Sequence, residues 1–410
     1  MKSLFALALI GMSSFAFSYD SYLVKFKNAS EQENFFSKKE LGMRAQDLKI
    51  SETSLALIYK DDKSTDELFV KRLKKIPGVV LVEPNYKLHA LGVTMPTDPK
   101  YSSQWGLNGK ESVNAPMAWE ITKGGRQVKI AVIDTGIDYN HPDLKDQMWV
   151  NEAEKNGVAG VDDDGNGYID DVYGYDFVNS DSDPMDDNKH GTHCAGIIGA
   201  SHNSIGVAGV MKDVQLIALK FLSRTGSGDN AGAILAIDYA IKMGANILSN
   251  SWGGGADEYS TLMIEAITRA RDHGILFMAA AGNDGANNET AENYPANYKV
   301  DNIISVASHD RYGKKSSFSN YGKNVHVAAP GSSILSTVPK AQYATLSGTS
   351  MATPFVSGVA GLLMAQYPQM SYLEIKERLI QTSVKNTSLQ NASISGGRID
   401  AYRALENIQN

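Results

Sequence analysis

The chain's 410 residues suggest two or three domains, and 42% hydrophobic content is enough to bury a sizeable core. A formal net charge of -7 argues against nucleic acid as a partner, since such binders carry a basic face. Cys194 is the only cysteine, so no internal disulfide can form and stability must come from the core or a bound ion.

Residues 1–18 read as a secretory signal: Lys2, an apolar run from Leu4 to Ile10, and a small-x-small cleavage site at Ala16-Phe17-Ser18. Gly11, Ser13 and Ser14 break the run short of the ~20 residues a bilayer span needs. The expected product is therefore secreted, extracellular or periplasmic, without a stable membrane anchor.

Residues 19–91 read as a small α+β unit. Tyr22–Phe26, Leu55–Tyr59 and Val79–Val82 are predicted strands. Glu31–Lys39, with Phe35 and Phe36 inward, and Thr65–Lys75, stopped by Pro77-Gly78, are predicted helices. The order is β-α-β-β-α-β-like, as in a ferredoxin-like unit.

From residue 92 to 410, short and nearly continuous apolar runs alternate with helical spacing. The runs are Val128–Ile133, Gln215–Leu219, Ile247–Ser249, Ile275–Ala281, Ile303–Ala307 and Val325–Ala328. Strands covered on both faces by helices look like this, which predicts an α/β fold with a parallel sheet. Helices are expected over Asn230–Met243 and Tyr259–His273, ended by Gly244 and Gly274. Three more are expected, from Ser350 to Tyr367, Ser371 to Gln381 and Arg398 to Ile408.

Three short motifs carry the chemistry. Asp134 ends the strand KIAVID, His190 opens HGTHCAGIIGA, and Ser350 lies in SGTSMATP. Singly, they could be a turn-capping or metal-binding aspartate, an H-x-x-H metal pair with His193, and a helix N-cap serine. Together, in the order Asp, His, Ser, they form one of the known chain orders of a Ser/His/Asp hydrolytic triad. GTSMA lacks the second glycine of the GxSxG elbow, which counts against an α/β-hydrolase.

These motifs resemble the subtilisin-like serine proteases, from about Tyr22 to the chain's end. Cys194, inside the histidine motif, resembles the cysteine-bearing thermitase- and proteinase K-like branch. The resemblance implies a peptidase domain over residues 92–410 and an inhibitor-type propeptide over 19–91. That propeptide would act as an intramolecular inhibitor and be cut off near Leu91-Gly92. Asn283, in AAGN, would supply an oxyanion donor beside the Ser350 N–H. Gly226-Ser227-Gly228 and Ser251-Trp252-Gly253 would hold an extended polypeptide substrate between them. Ala280, Ala281 and Gly282 would wall the first specificity pocket, with Asn293 near its base. With no acidic residue evident there, large neutral residues are expected before the cut bond. Calcium is the implied cofactor. Asp98, Asp143 and Asn203, with the carbonyls of Ser201, Ile205 and Val207, match the family's tight site. Asp176, Asn179, Asp181 and Asp183 resemble a thermitase site in which Met185 replaces one ligand. Asp162-Asp163-Asp164-Gly165-Asn166-Gly167 begins like an EF-hand loop or is an acidic turn, Tyr173 standing where a bidentate Glu would be. The expected protein is a monomeric secreted endopeptidase of broad specificity. A narrow processing protease and a non-enzymatic calcium-binding surface protein are the alternatives.

Overall fold

The computed structural model describes residues 21–37, 44–50, 53–60, 64–85 and 95–409. The expected signal segment and the expected cut near Leu91-Gly92 lie outside the described residues. The chain divides into two compact units, Met1–Leu91 and Gly92–Asn410.

The first unit is a four-stranded antiparallel sheet in the order Ala45–Ile50, Thr53–Tyr59, Ser21–Phe26, Val79–Pro84. Helices Ala29–Ser37 and Asp66–Leu73 accompany it, the second capped by the Thr65 hydroxyl. Alternate residues Tyr22, Val24 and Phe26 turn inward to meet Ala56, Ile58, Phe69 and Leu73. The strand Ala45–Ile50 has no named counterpart in the sequence reading, because its alternation AQDLKI puts only small or isolated apolar groups on either face.

The second unit is built on a nine-stranded sheet. From one edge the strands run Gly174–Asp176, Asp213–Lys220, Gly124–Asp134, Ile247–Asn250, Leu276–Ala280, Ile303–His309, Val327–Pro330, Gly397–Arg398 and Val384–Lys385. All pair in parallel except the last, which is antiparallel to its neighbour. Side-chain alternation divides the core in two. Ile130, Val132, Leu216, Ala218 and Met278 face helices His190–Gly199 and Thr349–Gln366. Ala131, Ile133, Ile217, Leu219 and Phe277 face helices Asn230–Lys242 and Thr261–Asp272. The fold is thus α/β, with a predominantly parallel sheet between helical layers.

Gly244 and Gly274 follow those last two helices at φ +68° and +75°, the left-handed geometry that closes a helix cheaply only with glycine. Tyr372–Gln381 begins with a reciprocal capping box between Ser371 and Glu374. The final helix is shorter than expected, Ala401–Glu406, because Gly397–Arg398 is spent on a strand. The hairpin Ile334–Val338 with Gln342–Leu346 was not anticipated either; its second strand is Thr- and Gln-containing and half exposed.

Candidate active site

Four parallel strands deliver their C-terminal ends to one edge of the sheet, where open α/β folds place their sites. Asp134 ends the strand Gly124–Asp134, and Ser251 follows Ile247–Asn250. Ala280 ends Leu276–Ala280, with Gly282 and Asn283 just beyond it. The loop after Asp213–Lys220 brings Gly226. Helix Thr349–Gln366 starts at the same edge with Ser350 in its first turn. A cleft of about 490 Å³ is lined by His190, Gly226, Ser251, Trp252, Gly253, Ala280, Gly282, Asn283, Asn293 and Ser350.

Asp134 is fully buried, and its carboxylate holds His190 Nδ1 at 2.8 Å and 3.0 Å. Burial pulls the His190 imidazolium down, but the adjacent Asp134 charge and hydrogen bond outweigh it, so the pKa is raised. The buried Asp186 carboxylate braces this corner. It accepts from Thr135 Oγ1, from Thr192 N and Oγ1, and from the Asn188 and Lys189 N–H groups, so strand end and helix start share one anchor. Lys189, just before His190, has φ +134°, a strained position for a non-glycine residue.

The Ser350 hydroxyl donates to the Ser251 carbonyl at 2.9 Å rather than to His190. The Ser350 carbonyl in turn accepts from Ser251 Oγ at 2.9 Å and lies 3.5 Å from Cys194 Sγ. Asn283 is oriented by Thr349, whose N and Oγ1 both donate to Asn283 Oδ1. With its oxygen engaged, the side chain is left with the NH₂ group as its free end. A Cβ on Gly348 would lie 3.5 Å from Ser350 N and 3.8 Å from Asn283 Nδ2, so the glycine leaves both donors uncovered. Such a pair can stabilise an oxyanion.

Other residues fall elsewhere. His193 is buried, its Nε2 bonded to the Ile334 and Ala344 carbonyls, and burial lowers its pKa to about 4. It ties the hairpin to its helix and forms no metal pair with His190. Cys194 is fully buried, which pushes its thiol pKa well up and leaves it unreactive as a thiolate. Ala281 does not line the cleft. Strand alternation puts Ala280 in the cleft and turns Ala281 into a small core with Ala307, Val325 and Ala328. Ser227 and Gly228 line an adjoining groove that shares Gly226, Trp252 and Gly253 with the cleft. Two acidic residues escaped the sequence reading. Asp284, directly after Asn283, lines the cleft. Glu154 brings its carboxylate together with Asp162 and Asp164, and accepts from the Asp163 and Asp164 N–H groups. Tyr173 is stacked on Tyr139 instead of acting as the loop's last ligand.

The expected calcium ligands form two separate clusters. Asp98 and Asp143 are buried, at 4% and 0% exposure, yet among the described residues Asp98 Oδ2 and Asp143 Oδ1 have no hydrogen-bond partner. Their other oxygens accept from Asn203 N and Val207 N, which draws the loop Ser201–Val207 around them. Two buried carboxylates, with no cationic side chain bonded to them among the described residues, fit a hard cation. In the second cluster Asp176 accepts from Val178 N, Asn179 N and Asn179 Nδ2. Asp181 accepts from Asp183 N, and Asp183 from Tyr139 and Met185 N. These carboxylates are engaged by their own loop and, at Asp183, by Tyr139.

The subtilase family pattern matches residues 125–397. The chain is 41% identical over 319 residues to thermitase of Thermoactinomyces vulgaris, which covers 76% of this chain and 99% of that protein. It is 39% identical over 340 residues to a thermophilic serine proteinase of Bacillus sp. (strain AK1), covering 83% and 76% respectively. Among solved structures, a protease of Pseudoalteromonas arctica PAMC 21717 superposes with a TM-score of 0.65 at 28% identity. That match covers 77% of this chain and 99% of the other.

Proposed function

The chain belongs to the subtilase family and is a subtilisin-like serine endopeptidase, and from that premise we propose that it is a secreted, self-maturing, calcium-stabilised enzyme of broad specificity. What most supports the assignment of roles is the bond at 2.8 Å from buried Asp134 to half-buried His190, which shares one cleft with Ser350 and Asn283.

In the proposed mechanism the Ser350 hydroxyl turns from the Ser251 carbonyl to His190. His190 takes its proton as Ser350 Oγ attacks the substrate carbonyl, and Asp134 stabilises the resulting imidazolium. The carbonyl oxygen, now negative, is held by Asn283 Nδ2 and Ser350 N, helped by the positive end of the Ser350 helix. The tetrahedral intermediate collapses, His190 passes the proton to the leaving amine, and an acyl-Ser350 ester remains. Water, deprotonated by His190, then releases the acid and regenerates the serine. The polypeptide would lie extended between Gly226–Gly228 and Ser251–Gly253, read through its main chain.

Residues 19–91 are proposed as the propeptide that inhibits the enzyme until cut near Leu91-Gly92, and residues 1–18 as the signal. Among the described residues no helix is long and apolar enough to cross a membrane. Calcium would bind at Asp98, Asp143, Asn203 and the Ser201, Ile205 and Val207 carbonyls, and also at the Asp176–Asp183 loop. It would supply charge that offsets the buried carboxylates.

The test is the N-terminus and mass of the wild-type product beside Ser350→Ala. Wild type should begin near Gly92 while the variant keeps residues 19–91. Identical processing of both would reject self-maturation.

A further inference from the structure

Lys220 ends the strand Asp213–Lys220, just before the loop that carries Gly226. It is the one buried lysine among the described residues, at 2% exposure. Lysine is almost never buried without partners, because its ammonium gives up strong hydration. Here Nζ has three acceptors: the Thr135 carbonyl at 3.1 Å, the Leu222 carbonyl at 3.0 Å and Asp187 Oδ1 at 2.7 Å. Those acceptors belong to separate parts of the site. Thr135 follows Asp134 and donates its N–H to the Asp134 carboxylate at 2.7 Å. Asp187 lies in the segment that leads into His190. Leu222 lines the cleft and enters the turn 223–227, which is closed by Ser223 N to the Ser227 carbonyl and by Gly226 N to the Ser223 carbonyl. The Asn188 amide, from the same segment as Asp187, grips that turn at the Arg224 carbonyl, 2.8 Å away.

We propose that Lys220 is a positioning residue for catalysis: its ammonium fixes the edge at 222–228 against the Asp134–His190 pair, so that a polypeptide lying along that edge presents its bond to Ser350. The inference rests on the protease reading above. Hydrogen bonds from an ionised donor are roughly twice as strong as neutral ones. A substrate displaced by about 1 Å loses rate through misalignment. Loss of the ammonium should therefore cost about ten- to hundredfold in kcat/KM for substrates that use the edge, and far less for those too short to reach it. Lys220→Met keeps most of the side chain's length, and Asp187, 47% exposed, can be hydrated once the ammonium is gone.

The experiment compares wild type, Lys220→Met and Asp187→Ala, with working sites counted by labelling with a serine-directed phosphonate. For each, kcat/KM per working site is measured on a peptide with four residues before the cut bond and on an N-acetyl ester of the last of those residues alone. Lys220→Met should lose about ten- to hundredfold on the peptide and less than about threefold on the ester. Asp187→Ala, which frees one of the three arms, should lose about threefold on the peptide alone. A merely structural lysine would lower the count of working sites, or both rates together. An unchanged peptide-to-ester ratio in Lys220→Met thus overturns the inference and leaves the protease standing. Should Lys220→Met yield no folded protein, Asp187→Ala decides by the same ratio. A wild type that neither takes the phosphonate nor cuts either substrate overturns both readings.

Discussion

His190 is held between burial, which disfavours its charge, and Asp134, which favours it, and the second prevails. A general base works only when neutral, so a raised pKa moves the acid limb of activity to higher pH than an ordinary histidine would give. Asp134→Asn removes the charge. The acid limb of kcat/KM should shift to lower pH, while turnover falls about 10⁴-fold because the imidazole tautomer is no longer fixed. An unmoved limb would show that Asp134 does not set the pKa. In the proposed mechanism Asn283 makes a different contribution, felt only once the oxyanion exists. Asn283→Leu should lower kcat about a hundred- to thousandfold, the range known for loss of this donor in the family, with little change in KM. The proposed triad could be nominated from sequence because each member sits inside a contiguous motif. The orientation of Asn283 was not, since it depends on Thr349, distant in sequence. Nor was the inward turn of Ala281, which one step of strand alternation decides.

Between elements, close approach of backbone decides most. In helix Thr349–Gln366 a Cβ on Gly358 would fall 2.6 Å from Val210 Cβ, so helix and loop meet with no side chain between them. Gly358→Val should destabilise by about 1–3 kcal/mol through overpacking, read as a lower urea midpoint with an unchanged slope. The loop Ser201–Val207 is held by the Asp98 and Asp143 carboxylates, where calcium is proposed to bind. Removing calcium with a chelator should lower the unfolding temperature, measured in Ser350→Ala so that self-digestion does not intrude. A cation at a thousand times its Kd contributes about 4 kcal/mol, enough for a clear shift. Asp143→Asn should start lower and respond less to chelator; equal wild-type curves with and without chelator would reject calcium at this site. The buried strands were legible as apolar runs because both their faces are covered. Ala45–Ile50 and the hairpin strand Gln342–Leu346 were not, because polar residues fall along them in no strong period. Glu154 was missed for a related reason: it reaches the acidic turn from a separate short helix.

At the scale of the whole molecule, composition and motif order were enough to call for a predominantly parallel α/β sheet with its chemistry at the strands' C-terminal ends. The antiparallel edge strand Val384–Lys385 and the exact strand order were beyond it, because pairing between distant segments leaves no local trace. One feature reaches further. The helix that bears Ser350 also supplies much of the core on one face of the sheet, through Met351, Phe355, Val356, Val359 and Leu362. The proposed nucleophile and this part of the core therefore depend on the same helix. A chain being synthesised has Asp134 and His190 before it has either the proposed nucleophile or the helix that covers this face of the sheet. With the triad as proposed, the enzyme cannot cut its neighbours or itself until helix Thr349–Gln366 has been made, so its harmlessness to the cell that builds it begins as a matter of timing.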